Sequence, residues 1–365
     1  MSASNGVLVL AANSSAGTAV TWDSSANCNA VPYTFHLVVG IFITIVGILA
    51  VVGNVLVLCT FARHSSLRTS SNLLVVNLTV ADLVMSSLDF PILAISSYKG
   101  CWVMGFLGCQ VYGVSSGVAG LVTINTLAAI SVDRFVVVVH RLSPMHQMGK
   151  STTGVIIIAI WALSVIWAVL PITGVSSYRL EGMGTSCTFD YASRTSSNRW
   201  FFIALVIFNF FIPLALIIFS YWRIYASVRA VKRELKLLQS ARTSILRKRF
   251  EVQAEIKTAI TALVIISIFC LAWTPYVIIA FVGLYGPTTA IDPLVSMFPN
   301  ILAKISTVSN PILYSIGHPE VRKKMKKLFL PGQQDSSWRA TSATAGNSSP
   351  AQSENMNNIS LPTYL

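Results

Sequence analysis

The sequence predicts an all-α membrane protein: a seven-transmembrane helix bundle with a short amphipathic cytoplasmic helix after the seventh span. Three observations carry that prediction. The 365 residues are 54% hydrophobic and 11% charged, against about 25% charged in an ordinary soluble chain. The apolar residues come in long blocks. Residues 35–62, 151–178, 200–222 and 258–291 contain no Asp, Glu, Lys or Arg, and about 20 apolar residues suffice to cross the hydrocarbon core of a bilayer. The positive charge is also one-sided. Of 26 Lys and Arg, Lys99, Arg179, Arg194 and Arg199 lie on the N-terminal side of the spans, Lys304 lies within one, and the other 21 lie on the opposite side. That asymmetry places the N-terminus outside and the C-terminus in the cytoplasm.

Seven spans are expected, at 35–61, 71–97, 107–139, 152–171, 200–226, 257–283 and 291–316. Lipid offers no partner to backbone N–H and C=O groups, so each span must be a helix or a barrel strand, and these lengths fit helices. The first 34 residues are polar, with Asn and Ser clusters, and form an outer tail. They lack a basic segment followed by an apolar one, so no cleaved signal peptide is expected. Asn13-Ser14-Ser15 is a glycosylation sequon in that tail. Asn77-Leu78-Thr79 matches the same pattern but lies within span two and should be unused.

Span one contains Gly53-Asn54. Span two carries Asp82 and Asp89, seven residues apart and therefore on one helix face, two turns from each other. Span three ends on Asp133-Arg134-Phe135. Span six contains Trp273-Thr274-Pro275, where proline removes a backbone hydrogen bond and permits a kink. The loop at 227–256 mixes Lys, Arg, Glu and Leu and should extend spans five and six as amphipathic helix. Span seven carries Lys304 and then Asn310-Pro311-Ile312-Leu313-Tyr314. In the helix predicted at 319–330, Val321, Met325, Leu328 and Phe329 recur at helical spacing between lysines, which suits a helix lying on the inner leaflet. Residues 331–365 are rich in Ser, Asn, Thr and Ala and are expected to be a disordered cytoplasmic tail.

Net charge of +13 could suit nucleic acid, but no basic-aromatic module accompanies it. Topology and attraction to anionic lipid account for the charge, and no nucleic-acid partner is expected. Cys59 and Cys270 lie within spans. Cys28, Cys101, Cys109 and Cys187 face the oxidising side, where disulfides are allowed. A Cys109–Cys187 bond would pin the second outer loop across the helix ends, and Cys28–Cys101 remains as the second pair by elimination.

Intramembrane ionisable residues are costly without a partner and point to function. Lys304 is the sharpest case, at about 2.5–3.5 kcal/mol by insertion scales. Taken together and in order, Asp82, Asp133-Arg134-Phe135, Trp273-Thr274-Pro275 and Asn310-Pro311-Ile312-Leu313-Tyr314 resemble the rhodopsin-like G-protein-coupled receptors over residues 35–330. Lys304 stands six residues before Asn310, and EGMGTSCTFDY at 181–191 is similar to the loop that covers retinal in opsins. The chain is thus identified as similar to the opsins, with span three and YSIGHPEVR looking most like rhabdomeric, melanopsin-like bistable ones.

The resemblance implies a receptor rather than an enzyme, with retinal as cofactor, bound as the 11-cis isomer through a Schiff base on Lys304 and isomerised by light to all-trans. It implies a pocket of Gly120, Phe189, Tyr191, Phe210, Phe269, Trp273 and Tyr276. The protonated Schiff base needs a counterion. Glu181 is the first candidate and Asp89 the second. Tyr112 stands near the Schiff base where vertebrate visual opsins have glutamate. The resemblance further assigns activation and G-protein contact to Asp82, Asp133, Arg134, Pro275, Asn310, Pro311 and Tyr314, with a sodium ion near Asp82 and no other metal. The partners implied are a heterotrimeric G protein (Gq first, Gi/o second), arrestin and a receptor kinase, in a plasma or photoreceptor membrane. A retinal photoisomerase and a chemoreceptor for a diffusible ligand are the alternatives.

Overall fold

The structure, a computed structural model, describes residues 9–10, 20–21, 31–139, 148–237, 242–287, 292–317 and 321–325, with backbone alone for 9–10, 20–21, 313–317 and most of 231–255. A two-residue pair, β1 (Val9–Leu10) and β2 (Val20–Thr21), precedes the helices. The helices are α1 (Tyr33–Arg63), α2 (Ser70–Lys99), α3 (Gly105–Val139) and α4 (Lys150–Val169). The hairpin β3 (Tyr178–Glu181) and β4 (Ser186–Phe189) follows. Then come α5 (Ser196–Val206), a π turn at Ile207–Phe211, α6 (Ile212–Leu237), α7 (Arg242–Tyr285) and α8 (Pro293–Gly317). Helices α5 and α6 run on through the π turn as one span, so the chain makes seven spans. By length and composition, six helices among the described residues are apolar enough to cross a membrane. The seventh, α8, holds Lys304 and packs on α7, α1 and α2.

The helix ends follow the local chemistry. Thr69 caps α2 by accepting from Asn72 N, and Thr195 caps α5 by accepting from Asn198 N, which satisfies donors that the first turn leaves free. Gly100 closes α2 in the left-handed region at φ 70°, where glycine has no Cβ to clash. Helix α6 continues to 237 and α7 begins at 242, so spans five and six do extend into the loop between them.

Faces toward lipid are apolar and exposed, as at Ile48, Val155, Ile158, Trp200, Ile218 and Leu271. Polar side chains turn inward and bond to each other. Asn77, fully within α2, donates to Thr126 Oγ1 at 2.8 Å and accepts from Trp161 Nε1 at 2.7 Å, tying α2, α3 and α4. The Asn77 sequon is therefore buried. Asn54 donates to Ala50 O (2.9 Å) and Thr307 O (3.2 Å), and Asn310 Nδ2 donates to Asp82 Oδ2 (2.7 Å), which joins α1, α2 and α8. A Cβ at Gly53 would meet Pro311 Cβ at 3.1 Å, so glycine lets α1 approach the α8 proline.

Cys109 and Cys187 form a disulfide with Cα atoms 5.4 Å apart, fastening β4 to the start of α3. Cys101 is also in a disulfide, while Cys28, like Asn13, lies outside the described residues. Of the helix expected at 319–330, residues 321–325 are described and helical. Val321 is buried there with Val57, Phe61 and Leu67. The tail at 331–365 lies outside the described residues.

Replacing Asn77 by Ala removes the acceptor of the half-buried Trp161 Nε1 and one of the two hydrogen bonds of the Thr126 hydroxyl. The expected loss is about 1–3 kcal/mol, read as a lower thermal unfolding midpoint of the purified protein in detergent; an unchanged midpoint would show that the three-helix link contributes nothing.

Candidate functional site

A cavity of about 150 Å³ lies beneath the hairpin, between α3, the fifth span, α7 and α8. Its floor and walls are apolar and aromatic. Trp273 stacks on Phe269 with ring centroids 5.4 Å apart and meets Tyr276 edge-on at 6.0 Å. These three lie on one face of α7, at the turns around Pro275. A Cβ at Gly120 would come within 2.6 Å of Trp273 Cη2, so only glycine on α3 leaves room for that indole. Phe210 enters from the π turn, which rotates the helix locally.

The hairpin forms the lid. Glu181 pairs with Ser186 across it. The turn between them uses Gly182 at φ 57°, where an added Cβ would also meet Met297 on α8 at 3.2 Å. Thr188 shares a hydrogen bond with the Tyr276 hydroxyl, and Tyr178 OH donates to Ala168 O at 2.7 Å. Gly113 of α3 lies against the Tyr178 ring, closer than any Cβ could stand. The lid is thus fastened to α3, α4, α7 and α8.

Lys304 projects into the cavity from α8 and is 3% exposed. Its ammonium lies 5.1 Å from the centroid of the Tyr112 ring and 6.0 Å from that of Phe90. Nζ donates to Asn300 Oδ1 at 2.9 Å, one turn back along the helix. Asn300 Nδ2 in turn donates to Glu181 Oε1 (2.6 Å) and to Ser186 Oγ (2.9 Å). On the other side, Asp89 of α2 accepts from Ser115 at Oδ1 and from Ser116 at Oδ2 (2.6 Å), both on α3. Asp89 and Glu181 both act electrostatically on Lys304. Burial pushes the Glu181 carboxyl up to about 7, against the opposing pull of Lys304 and of hydrogen bonds from Ser186 and Asn300.

Of the residues singled out in the sequence, Tyr112, Gly120, Glu181, Phe189, Phe210, Phe269, Trp273, Tyr276 and Lys304 line the cavity together. Tyr191 lies one layer back, its ring edge against Phe189 at 6.2 Å. Asp89 is fully buried behind Ser116 rather than on the wall. Asn300, Ser115 and Ser116 were not anticipated. Their signal was spacing: Asn300 is four residues before Lys304, and the two serines are three and four after Tyr112, each one helical turn away on the same face.

At the far end of the bundle, Arg134 Nη2 and Nε both donate to Asp133 Oδ2, at 2.5 and 3.1 Å, and both residues are buried. Pro275 lies inside α7 and Pro311 inside α8. The Tyr314 side chain lies outside the described residues, as do 318–320.

The comparisons agree with this geometry. The family model described as 7 transmembrane receptor (rhodopsin family) matches residues 53–314. The chain therefore belongs to the rhodopsin family of seven-transmembrane receptors, and is a receptor rather than an enzyme. Within that family its relatives are invertebrate rhodopsins and melanopsins. It is 40% identical over 294 residues to the Gq-coupled rhodopsin of Mizuhopecten yessoensis, covering 80% of this chain and 59% of that protein. It is 36% identical over 294 residues to melanopsin of Rattus norvegicus, covering 80% and 61%. The match thus spans about three fifths of these relatives' own length. The crystal structure of squid rhodopsin superposes with a TM-score of 0.78 at 33% identity, over 88% of this chain and 94% of that one.

The raised Glu181 carboxyl has a stability consequence. Its folded value, about 7, lies above the ordinary 4.5. The neutral form therefore supports the fold below about pH 4.5, and this contribution is lost as pH rises through about 7. With the ligand-free protein, wild-type stability should fall relative to Glu181→Gln across that window by at most ~3 kcal/mol, measured as thermal midpoints at several pH values. Parallel pH profiles would mean that Glu181 does not titrate there.

Proposed function

We propose that the chain is a light-activated receptor that binds retinal through Lys304 and signals to a heterotrimeric G protein. The observation that carries this is a single buried amine at one end of an aromatic cavity, roofed by the hairpin. The cavity fits an elongated apolar molecule with one carbonyl end: Lys304 is the nucleophile there, and one oxygen of Glu181, Oε2, is buried without a partner among the described residues. When bound, 11-cis-retinal supplies visible absorption and a light-driven change of shape to all-trans.

The chain's own residues do the rest. Lys304 attaches the ligand, with Glu181 and Asp89 as the carboxylates that balance charge at that point. Trp273, seated on Gly120, is the contact through which a change in cavity shape reaches α7. Movement at Pro275 would separate the far ends of the helices and release Arg134 from Asp133 to meet the G protein. Asp82 and Asn310 couple α2 to α8 along the way through their direct hydrogen bond, and Asp82 would supply the carboxylate for a sodium ion there. Light in this scheme shifts the population between two packed states. A carboxylate held beside the attachment point in either packed state keeps both isomers bound, and the pigment is bistable.

The resemblance to a Gq-coupled rhodopsin supports Gq as the transducer, with Gi/o second. Arrestin and a receptor kinase are expected partners, and the N-terminus faces outside a plasma or photoreceptor membrane, as the distribution of Lys and Arg supports. The Asp133–Arg134 pair favours signalling over a photoisomerase that only makes 11-cis-retinal, and the buried amine in an aromatic cavity favours retinal over a diffusible ligand.

Purified protein regenerated with 11-cis-retinal should show a visible band that Lys304→Ala lacks. Illuminated membranes should then accelerate nucleotide exchange on Gq more than on Gi/o. A wild-type protein without the band, or a band surviving in Lys304→Ala, would sink the retinal assignment.

A further inference from the structure

Two carboxylates are buried beside one amine, and one positive charge can balance only one of them. A second buried anion would stand uncompensated, at a cost of several kcal/mol. Buried groups in that position shed the charge by binding a proton. The hydrogen bonds distinguish the two carboxylates.

Asp89 is built as an anion. Each of its oxygens accepts a hydroxyl hydrogen, one from Ser115 and one from Ser116, and the residue is 0% exposed. Donors to both oxygens stabilise the charged form. Glu181 is built differently. Its Oε1 accepts from Asn300 and Ser186, while Oε2 is buried with no hydrogen-bond partner among the described residues. A buried carboxylate oxygen without a donor is expensive, and binding a proton removes the charge that makes it so. The titratable groups around Glu181 are Lys304 from α8, Tyr112 from α3, Tyr276 from α7 and Tyr191 from the lid. Lys304 is the positive member of that set. Its hydrogen bond runs to Asn300 and from there to Glu181.

We propose that Asp89, held by Ser115 and Ser116, is the carboxylate that balances the charge at Lys304, and that Glu181 is a protonatable second carboxyl coupled to that charge through Asn300. This reverses the order in which the sequence ranks the two residues. It deepens the proposed function, on which its ligand-bound half rests. Asn300 is then a positioning residue. Its Oδ1 orients the amine, and its Nδ2 stabilises the Glu181 anion when that forms. The site gains a second ionisation state, in which Glu181 carries negative charge close to the lid while Asp89 keeps its own.

Infrared spectra of the full-length, ligand-free protein across about pH 5 to 8 test the assignment directly. A protonated-carboxyl C=O stretch should disappear with a midpoint near 7. It should be absent in Glu181→Gln and retained in Asp89→Asn. Asn300→Ala should move the midpoint upward, since a donor to the anion is lost; an unmoved midpoint would overturn the Asn300 link. If the band near 7 survives Glu181→Gln and vanishes in Asp89→Asn, the assignment is reversed. With 11-cis-retinal added, Asp89→Asn should lose visible absorption to the near-ultraviolet at neutral pH while Glu181→Gln keeps it; the opposite pattern also overturns the proposal. A wild-type protein that shows the titration but no visible band supports the carboxyl assignment and overturns the retinal reading instead.

Discussion

A lysine amine held in the middle of a membrane bundle constrains everything around it. Charge is poorly tolerated where water is excluded, so Lys304 must be caged by groups that can share or neutralise it. Those groups come from four separate parts of the chain: Asp89 from α2, Tyr112 and two serines from α3, Glu181 from the hairpin, and Asn300 from α8. None of these can drift without exposing a buried charge. The helices are thereby held in register at the level of the amine.

The lid enforces the same arrangement from above. The disulfide holds β4 to α3, the hydrogen bond of Thr188 ties it to α7, and Gly182 lets the turn press on Met297 of α8. Glu181 can reach Asn300 because the hairpin is fastened at all of these points. Lower in the bundle the logic is similar but the donors are neutral. Asn77, Asn54 and Asn310 each bridge helices by amide hydrogen bonds, and glycines at 53 and 120 allow the close approaches that bring the partners together. The cavity lies between these two layers. A residue such as Trp273, packed on Gly120 and two residues from a helix proline, is placed where a change in cavity shape would be felt by α7.

Much of this was legible in the sequence, for identifiable reasons. Uninterrupted apolar blocks have one stable solution in lipid, so the number, order and approximate ends of the helices follow from composition and length. The hairpin between α4 and α5 was visible only as a loop motif, and its pairing register is a tertiary result. Lys304 drew attention because its cost has no local remedy. Asn300, Ser115 and Ser116 did not, because an amide or hydroxyl on a membrane helix can bond to its own backbone and carries no comparable penalty.

The sequence by itself determined seven spans, the buried amine and the carboxylates able to meet it, since burial energies depend on residue type and run length. The tertiary structure alone decided which carboxylate has a donor on each of its oxygens. That depends on Ser115 and Ser116 facing α2, on Asn300 reaching the hairpin, and on Glu181 Oε2 having nothing among the described residues to accept from. Those relations join residues tens to more than a hundred positions apart in the chain, and they exist only once the helices have packed.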